Sequence, residues 1–398
     1  MPNTQERLDG GNMQREALKG LKVVDLTTTI AGPHCTRLLA DLGADVIKIE
    51  GPEGDMMRTR PPLRSGASTV FGQLNAGKRS AVLDLKNPVA QKAVRQLAAK
   101  ADIFVENYRP GVTGRLGISY SQLAEINPRL IYGSISGYGQ TGPSAQLAAY
   151  APVIHAASGF DVAHMAYQPG RTQPDNCGIY IADFLSGTYA FGAILAALHQ
   201  RHATGKGQHV DVSMLESMLS LTMNEVQGAQ YPLPPPPKRH VFSPVETRDG
   251  YIHIAVASER TFQGLAEAAE RRDLITDPRF EKYLDRRSNW ADFIDEIERW
   301  SRTLTSKEVL AALERFNVPS SLYRTVNEVM EDPQLEHRQA FSEVHDKGGS
   351  FKALNPPFRL SQSATEAVPF VAALGEHTEA VLKEAGLTEA EISAALRR

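Results

Sequence analysis

A chain of 398 residues, 42% hydrophobic and 22% charged, has the length for about two domains and the apolar surface for a sizeable core, which excludes a disordered class. The formal net charge is −3 and the Lys and Arg residues fall in short scattered clusters, so no nucleic-acid partner is expected. Cys35 and Cys177 are the only cysteines and lie far apart, which argues against a disulfide framework or a thiolate zinc site and fits a reducing compartment.

The first stretch, MPNTQERLDGGNMQREALKG, has no apolar run of the secretory kind, so residues 1–17 are expected to form a flexible arm and the protein to be cytoplasmic. Short β-branched runs then alternate with helical patterns. Strands are expected at 21–27, 45–50, 80–85, 102–107, 130–136 and 207–214, with helices at 33–42 and 87–99 and a long apolar helix running on from Asp183. This alternation predicts a parallel sheet covered on both faces, a doubly wound, Rossmann-like α/β domain over 18–225. The longest apolar stretch, within Tyr189–Leu198, is shorter than the roughly 20 residues of a membrane span, and no membrane is expected. Four consecutive prolines, Pro234 to Pro237, predict an extended linker over 226–240. Beyond it, a strand at 250–256 and amphipathic helix from Thr261 to Arg315 predict a smaller α+β domain over 241–326. Residues 327–398 form a last α/β-like piece ending in two short helices interrupted at Gly386.

Gly137, Gly139 and Gly142 in GYGQTG match the dinucleotide-binding pattern, but Pro143 follows at once and no helical stripe comes after it, so nicotinamide binding is disfavoured. His199 and His202 stand three apart with no acid nearby, which suits a solvated helix end better than a metal site. The usual hydrolase motifs are missing. Basic residues cluster with turn formers at Arg58, Arg60 and Arg64, at Lys78 and Arg79, and at Arg109 and Arg115. Each alone is an ordinary solvated charge. The first and third clusters, however, follow predicted strands, whose carboxyl ends converge on the ligand crevice of such sheets, and they suggest a polyanionic small molecule such as a nucleotide. Asp183 is the last acid before Asp211. It is either an N-cap of the apolar helix or a poorly solvated carboxylate able to attack an acyl group.

The stretches LKGLKVVDLTTTIAGPHCTRLLADLGADVIKIEGPEGD, LNAGKRSAVLDLK, DIFVENYRPGVTGRLGISYSQLAEINPRLIYGSISGYGQTGP, IADFLSGTYAFGAILAALHQRHATGKGQHVDVSMLESML and GEHTEAVL follow one another in this order from Leu18. Together they resemble the class III CoA-transferase family, the CaiB/BaiF group of formyl-CoA transferase and carnitine CoA-transferase. The resemblance implies a large domain built from N- and C-terminal segments, a small domain between them, and an interlocked homodimer. It implies that Asp183 attacks an acyl-CoA to give an aspartyl anhydride and then an aspartyl-CoA thioester, with no metal and no permanently bound cofactor; CoA enters as the substrate acyl-CoA. For CoA it points to Thr29, Ile30, Ala31, Lys78, Arg79, Asn107, Tyr108 and Arg115, and for the acyl pocket to Tyr138. The acceptor is a free carboxylic acid. Gly51 and Pro52 stand where formyl-CoA transferase carries an arginine, and Ser136 where it carries a lysine, which points away from formyl and oxalyl groups. A dicarboxylic donor such as succinyl-CoA is common in the family, and Arg60 or Arg64 would meet its second carboxylate. Related α-methylacyl-CoA racemases carry a histidine base at a place that aligns with Tyr150, with His155 nearby but out of register. An epimerase of the same fold is the alternative reading, and a non-catalytic CoA-binding protein the weaker one.

Overall fold

The computed structural model describes residues 15–168, 170–231 and 242–396. Residues 1–14 of the expected arm and the four prolines of the expected linker lie outside them. Two compact units divide the chain, one made of Met1–Val162, Asp175–Met223 and Pro333–Arg398, the other of Ala163–Pro174 and Asn224–Asp332.

The first unit is built on β1 (Lys22–Asp25), α1 (Ala31–Asp41), β2 (Asp45–Glu50), β3 (Arg79–Val82), α2 (Pro88–Lys100), β4 (Ile103–Glu106), β5 (Ile131–Ser136), α3 (Ala151–Ala157), α4 (Ile181–Thr204) and β6 (Gln208–Ser213). Its six strands are all parallel, in the order β3-β2-β1-β4-β5-β6. Successive side chains of a strand point to opposite faces, and here both faces are buried. Val23, Val46, Ile103 and Ile131 join one cluster with Leu38, Leu39, Phe191 and Ile194. Val24, Ile47, Phe104 and Tyr132 join a second with Val94 and Leu97 of α2 and with Val381 and Leu382 from the C-terminal helix Thr378–Ala385. Such double burial is what a parallel sheet requires, and it explains why the strands are apolar runs rather than alternating ones. The mixed α/β, Rossmann-like class is therefore as expected.

The apolar helix α4 departs from expectation in length. It spans 24 residues, with a mean hydropathy of 1.5 over an 18-residue stretch, long and apolar enough to cross a membrane by those two measures alone. The sequence-based estimate counted only its most apolar stretch, whereas small residues such as Gly187 and Gly192 continue the helix. Its inner side, including Ala182, Ala190 and Ile194, packs in the first cluster of the sheet core. The linker's expected first residues, 226–228, instead close a helix, Met223–Gly228.

The second unit has a three-stranded antiparallel sheet, with Gly250–Ile254 between Ser320–Leu322 and Val245–Thr247. Helices Glu259–Ala268, Trp290–Ser301 and Ser306–Arg315 pack on it through Phe262, Phe293, Ile297 and Leu313. Ser258 with Thr261, and Thr305 with Glu308, form capping boxes that start two of these helices.

Candidate active site

The turn between β1 and α1 carries three threonines, and buried charges fix its course. Asp25 accepts hydrogen bonds from the Thr27 N–H at 2.8 Å, from the Thr36 hydroxyl at 2.7 Å and from Lys78 Nζ at 3.0 Å. Lys48 Nζ donates to the Thr27 carbonyl at 2.8 Å and to Asp55 at 3.0 Å. Asp55 in turn accepts from the Thr29 N–H at 3.3 Å. From β4, the Asn107 side chain accepts from the Thr28 N–H at 2.9 Å and donates to the Thr28 carbonyl at 2.8 Å. Burial pushes the Asp25 carboxyl up, but Lys78, Lys48 and the two hydroxyls outweigh it and hold it at about 2. Thr29, at φ 71°, occupies the left-handed region that β-branched residues avoid. The surrounding bonds hold it there.

This turn delivers α1 with Ile30 at its N-cap and no side chain capping it. The Ala31 N–H, one of the donors a helix leaves open at its start, lies on the Asp183 side of the turn, where it favours the charged form of that carboxylate. Asp183 lies in the first turn of α4 but is not its cap; that position is Tyr180, whose side chain makes no capping bond. The cap reading of this acid is thereby replaced by a contact between two helix starts, both of which favour negative charge. Close approach of the helices depends on glycine. A Cβ on Gly187, one turn after Asp183, would lie 2.4 Å from the Ala31 carbonyl oxygen, and one on Gly32 would lie 2.2 Å from Thr27 Cβ.

Burial raises the Asp183 carboxyl to about 6, while the Ala31 N–H pulls the other way. Beside it, burial and the charges of Arg37 and Lys78 hold His34 at about 4, so its ring is neutral. The ring meets Phe184 edge-on with centroids 4.8 Å apart, and its Nε2 is 3.2 Å from the Thr188 hydroxyl. On the other side of the helix start, the Ala182 N–H donates to Nε2 of buried His155 at 3.2 Å. A half-buried carboxylate near an open helix N–H can attack an activated acyl carbon.

Of the residues expected to hold CoA, Thr29, Ile30, Ala31 and Asn107 meet at this turn. Tyr108 follows Asn107, its N–H bonded to Glu106 at 2.8 Å, and burial pushes its phenol up to about 12. Arg115 ends the short helix Val112–Arg115 and is exposed. Tyr138 packs against the same cluster as Ala31 and Ala182, and Tyr150 is exposed at the N-cap of α3. Arg60 is exposed, just beyond the segment Met56–Thr59; Met56 Sδ lies 3.8 Å from the Thr29 hydroxyl.

Three of the basic residues expected at the site have partners within this chain. Lys78 is 2% exposed and its ammonium is committed to Asp25, Thr36, Asn75 and the Pro33 carbonyl, so it braces the turn from beneath and leaves no donor for a phosphate. Arg79 begins the edge strand β3 and is engaged by Asp45 at 2.7 Å and Glu384 at 2.7 Å. Arg64 is bonded to both oxygens of Asp346, at 3.1 and 3.0 Å, with its guanidinium 4.9 Å from the centre of the Phe351 ring. Both are structural ion pairs. The GYGQTG segment runs into turns with no helix until Ala151, so it lacks the helix start that holds a dinucleotide. Among the described residues no group of three or more His, Cys, Asp or Glu is placed to hold a metal ion.

The bracing set of Asp25, Lys48 and Asp55 escaped the sequence reading, as did the pairing of His155 with Ala182. The first had a signal: Asp25 follows Val23 and Val24 in β1, and Lys48 stands between Ile47 and Ile49 in β2, and a charge buried among such residues needs a partner.

The family model for CoA-transferase family III matches residues 18–378. The human succinyl-CoA:glutarate CoA-transferase is 35% identical over 385 residues, covering 92% of this chain and 85% of that protein. The formyl-CoA:oxalate CoA-transferase of Streptomyces coelicolor is 33% identical over 408 residues, covering 96% and 98%. The crystal structure of a CaiB/BaiF family protein from Brucella suis aligns with a TM-score of 0.79 at 33% identity, covering 94% of this chain and all of that one.

Proposed function

We infer the reaction from one premise: the chain belongs to CoA-transferase family III. As an acyl-CoA:carboxylate CoA-transferase it moves CoA from a thioester to a free acid. In our reading Asp183 is the nucleophile. Its carboxylate attacks the acyl carbon, the C–S bond breaks and CoA thiolate leaves an aspartyl acyl anhydride. The thiolate then attacks the aspartyl carbonyl, which expels the first acid as its carboxylate and leaves an aspartyl-CoA thioester. The acceptor carboxylate attacks the aspartyl carbonyl of that thioester, expelling CoA thiolate and forming a second anhydride; the thiolate then attacks the acceptor's carbonyl, which gives the new acyl-CoA and returns Asp183 as its free carboxylate. Each step exchanges one activated acyl bond for another, so the held thiol supplies most of the advantage by proximity.

The observation that carries this reading is the Asp183 carboxylate, desolvated at one helix start and facing the Ala31 N–H of another. The N–H groups of that turn would meet the oxyanions. Arg115 and Arg109, both exposed after β4, provide charge for the CoA phosphates. The donor is a dicarboxylyl-CoA such as succinyl-CoA, the group named in the human relative, with Arg60 receiving its far carboxylate. The partner is a second copy of this chain. Phe184, Tyr189, Ile179 and Tyr180 leave an apolar surface on and before α4 that is 41 to 64% exposed, of the kind a homodimer covers.

The test is a transfer assay with succinyl-CoA and a panel of mono- and dicarboxylic acids, run on wild type and Asp183→Asn. The reading expects transfer by wild type and at least a 10³-fold loss in the variant. Equal rates would overturn it. Arg60→Ala should lower the preference for dicarboxylic over monocarboxylic donors; an unchanged preference removes Arg60 from the pocket.

A further inference from the structure

His155 lies on α3, is 0% exposed, and makes a contact that its own helix does not require. The N–H it meets belongs to Ala182, the second residue of α4 and the immediate neighbour of Asp183. Helix starts leave such N–H groups without an internal acceptor, and a nearby side chain usually supplies one. Here Tyr180 at the N-cap supplies none. A ring nitrogen from a different helix takes that place at 3.2 Å.

The direction of this bond fixes the chemistry of the ring. A backbone N–H can only donate, so Nε2 presents its lone pair and the proton sits on Nδ1. Burial holds the ring below the usual histidine range against the pull of Asp161, which keeps this neutral form. Phe160 packs on the ring with centroids 5.6 Å apart. Nδ1 is buried with no hydrogen-bond partner among the described residues, so the Ala182 N–H is the ring's one hydrogen-bond contact among them.

We propose that His155 is a positioning residue for the transfer reaction: by accepting from the Ala182 N–H it fixes the first turn of α4 and with it the aim of the Asp183 carboxylate beside the Ala31 N–H. The inference rests on the reading of Asp183 as nucleophile. Misplacing an attacking group by about 1 Å costs on the order of 100-fold in rate, while Tyr108 and Arg115, also expected to hold CoA, lie after β4 and not on α3 or α4.

The experiment compares His155→Leu, which removes the acceptor, with His155→Gln, whose amide oxygen can accept the same bond. Should the leucine variant not fold, His155→Met fills the space without a nitrogen. Steady-state transfer and peptide-level hydrogen exchange are measured on each full-length protein with succinyl-CoA as donor. The acceptor-free variant should lose 10- to 100-fold in kcat with KM for the acyl-CoA within about two-fold, and its peptide spanning residues 178–187 should exchange faster. The glutamine variant should recover kcat to within about five-fold of wild type. Equal kcat in the acceptor-free and glutamine variants, or unchanged exchange at 178–187, would overturn the role of His155. Failure of the nucleophile reading is seen separately, as undiminished transfer by Asp183→Asn.

Discussion

A carboxylate that must be ionised to react is held where ionisation is costly, and this sets two expectations at Asp183. The attacking form fills as pH passes the raised value of about 6, so kcat/KM should climb between pH 5 and 7 with an inflection near 6, read from a pH-rate profile. The same shift opposes folding. The folded value stands above the ordinary 3.8, so the cost is absent below pH 4, grows through pH 6 and is complete above it. Asp183→Asn should therefore melt higher than wild type at pH 7, by about 1 kcal/mol after allowing for screening of a half-buried group, with no difference at pH 3.5. Lys78 and Arg115 separate in the opposite sense. Lys78→Ala leaves the Asp25 carboxylate buried without its cation and should cost about 3–5 kcal/mol in denaturant melts, whereas Arg115→Ala should leave the melt unchanged and raise KM for acyl-CoA about ten-fold. At this scale the sequence was only half legible. The motif around Asp183 pointed to the role proposed for it, but the spacing that suggested a cap misled, because the N-cap is Tyr180, three residues earlier. Nor does a basic residue in a turn declare its direction: Lys78 points beneath the threonine turn, and Arg79 to the carboxylates of Asp45 and Glu384.

The strands were the plainest feature of the sequence, because burial on both faces makes each a short β-branched run, and each of the six expected runs overlaps a strand of the parallel sheet. What the pattern did not disclose is how closely α1 and α4 approach. That depends on Gly187, which in sequence looks like an ordinary helix weakener. Gly187→Ala places a methyl group against the Ala31 carbonyl at 2.4 Å, where backbone must give way. The expected outcome is a loss of about 1–3 kcal/mol in stability with a fall in kcat at least ten-fold, because the displaced element carries Ala31 away from Asp183. Gly192→Ala, on the same helix with nothing within 4 Å of the added carbon, is the control and should be neutral or slightly stabilising. A Gly187→Ala enzyme with normal kcat would show that the helix contact does not set the aim of the carboxylate.

At the scale of the molecule, the chain leaves and returns to one parallel sheet, with Thr378–Ala385 completing the layer that α2 begins. That return was legible from the closing GEHTEAVL motif only through its resemblance to a family, since nothing local to it names the face it covers. The apolar exposed side of α4 leads us to expect a homodimer: sedimentation should give one species at twice the 43.5 kDa chain mass across micromolar dilution, and a stable monomer would contradict it. The central claim is chemical, and intact-protein mass spectrometry reaches it most directly. After mixing with succinyl-CoA, wild type should gain the mass of CoA less one water, the gain should vanish with hydroxylamine, and Asp183→Ala should show none. A protein that transfers CoA without that increment, or an Asp183→Ala variant that still acquires it, would contradict the account.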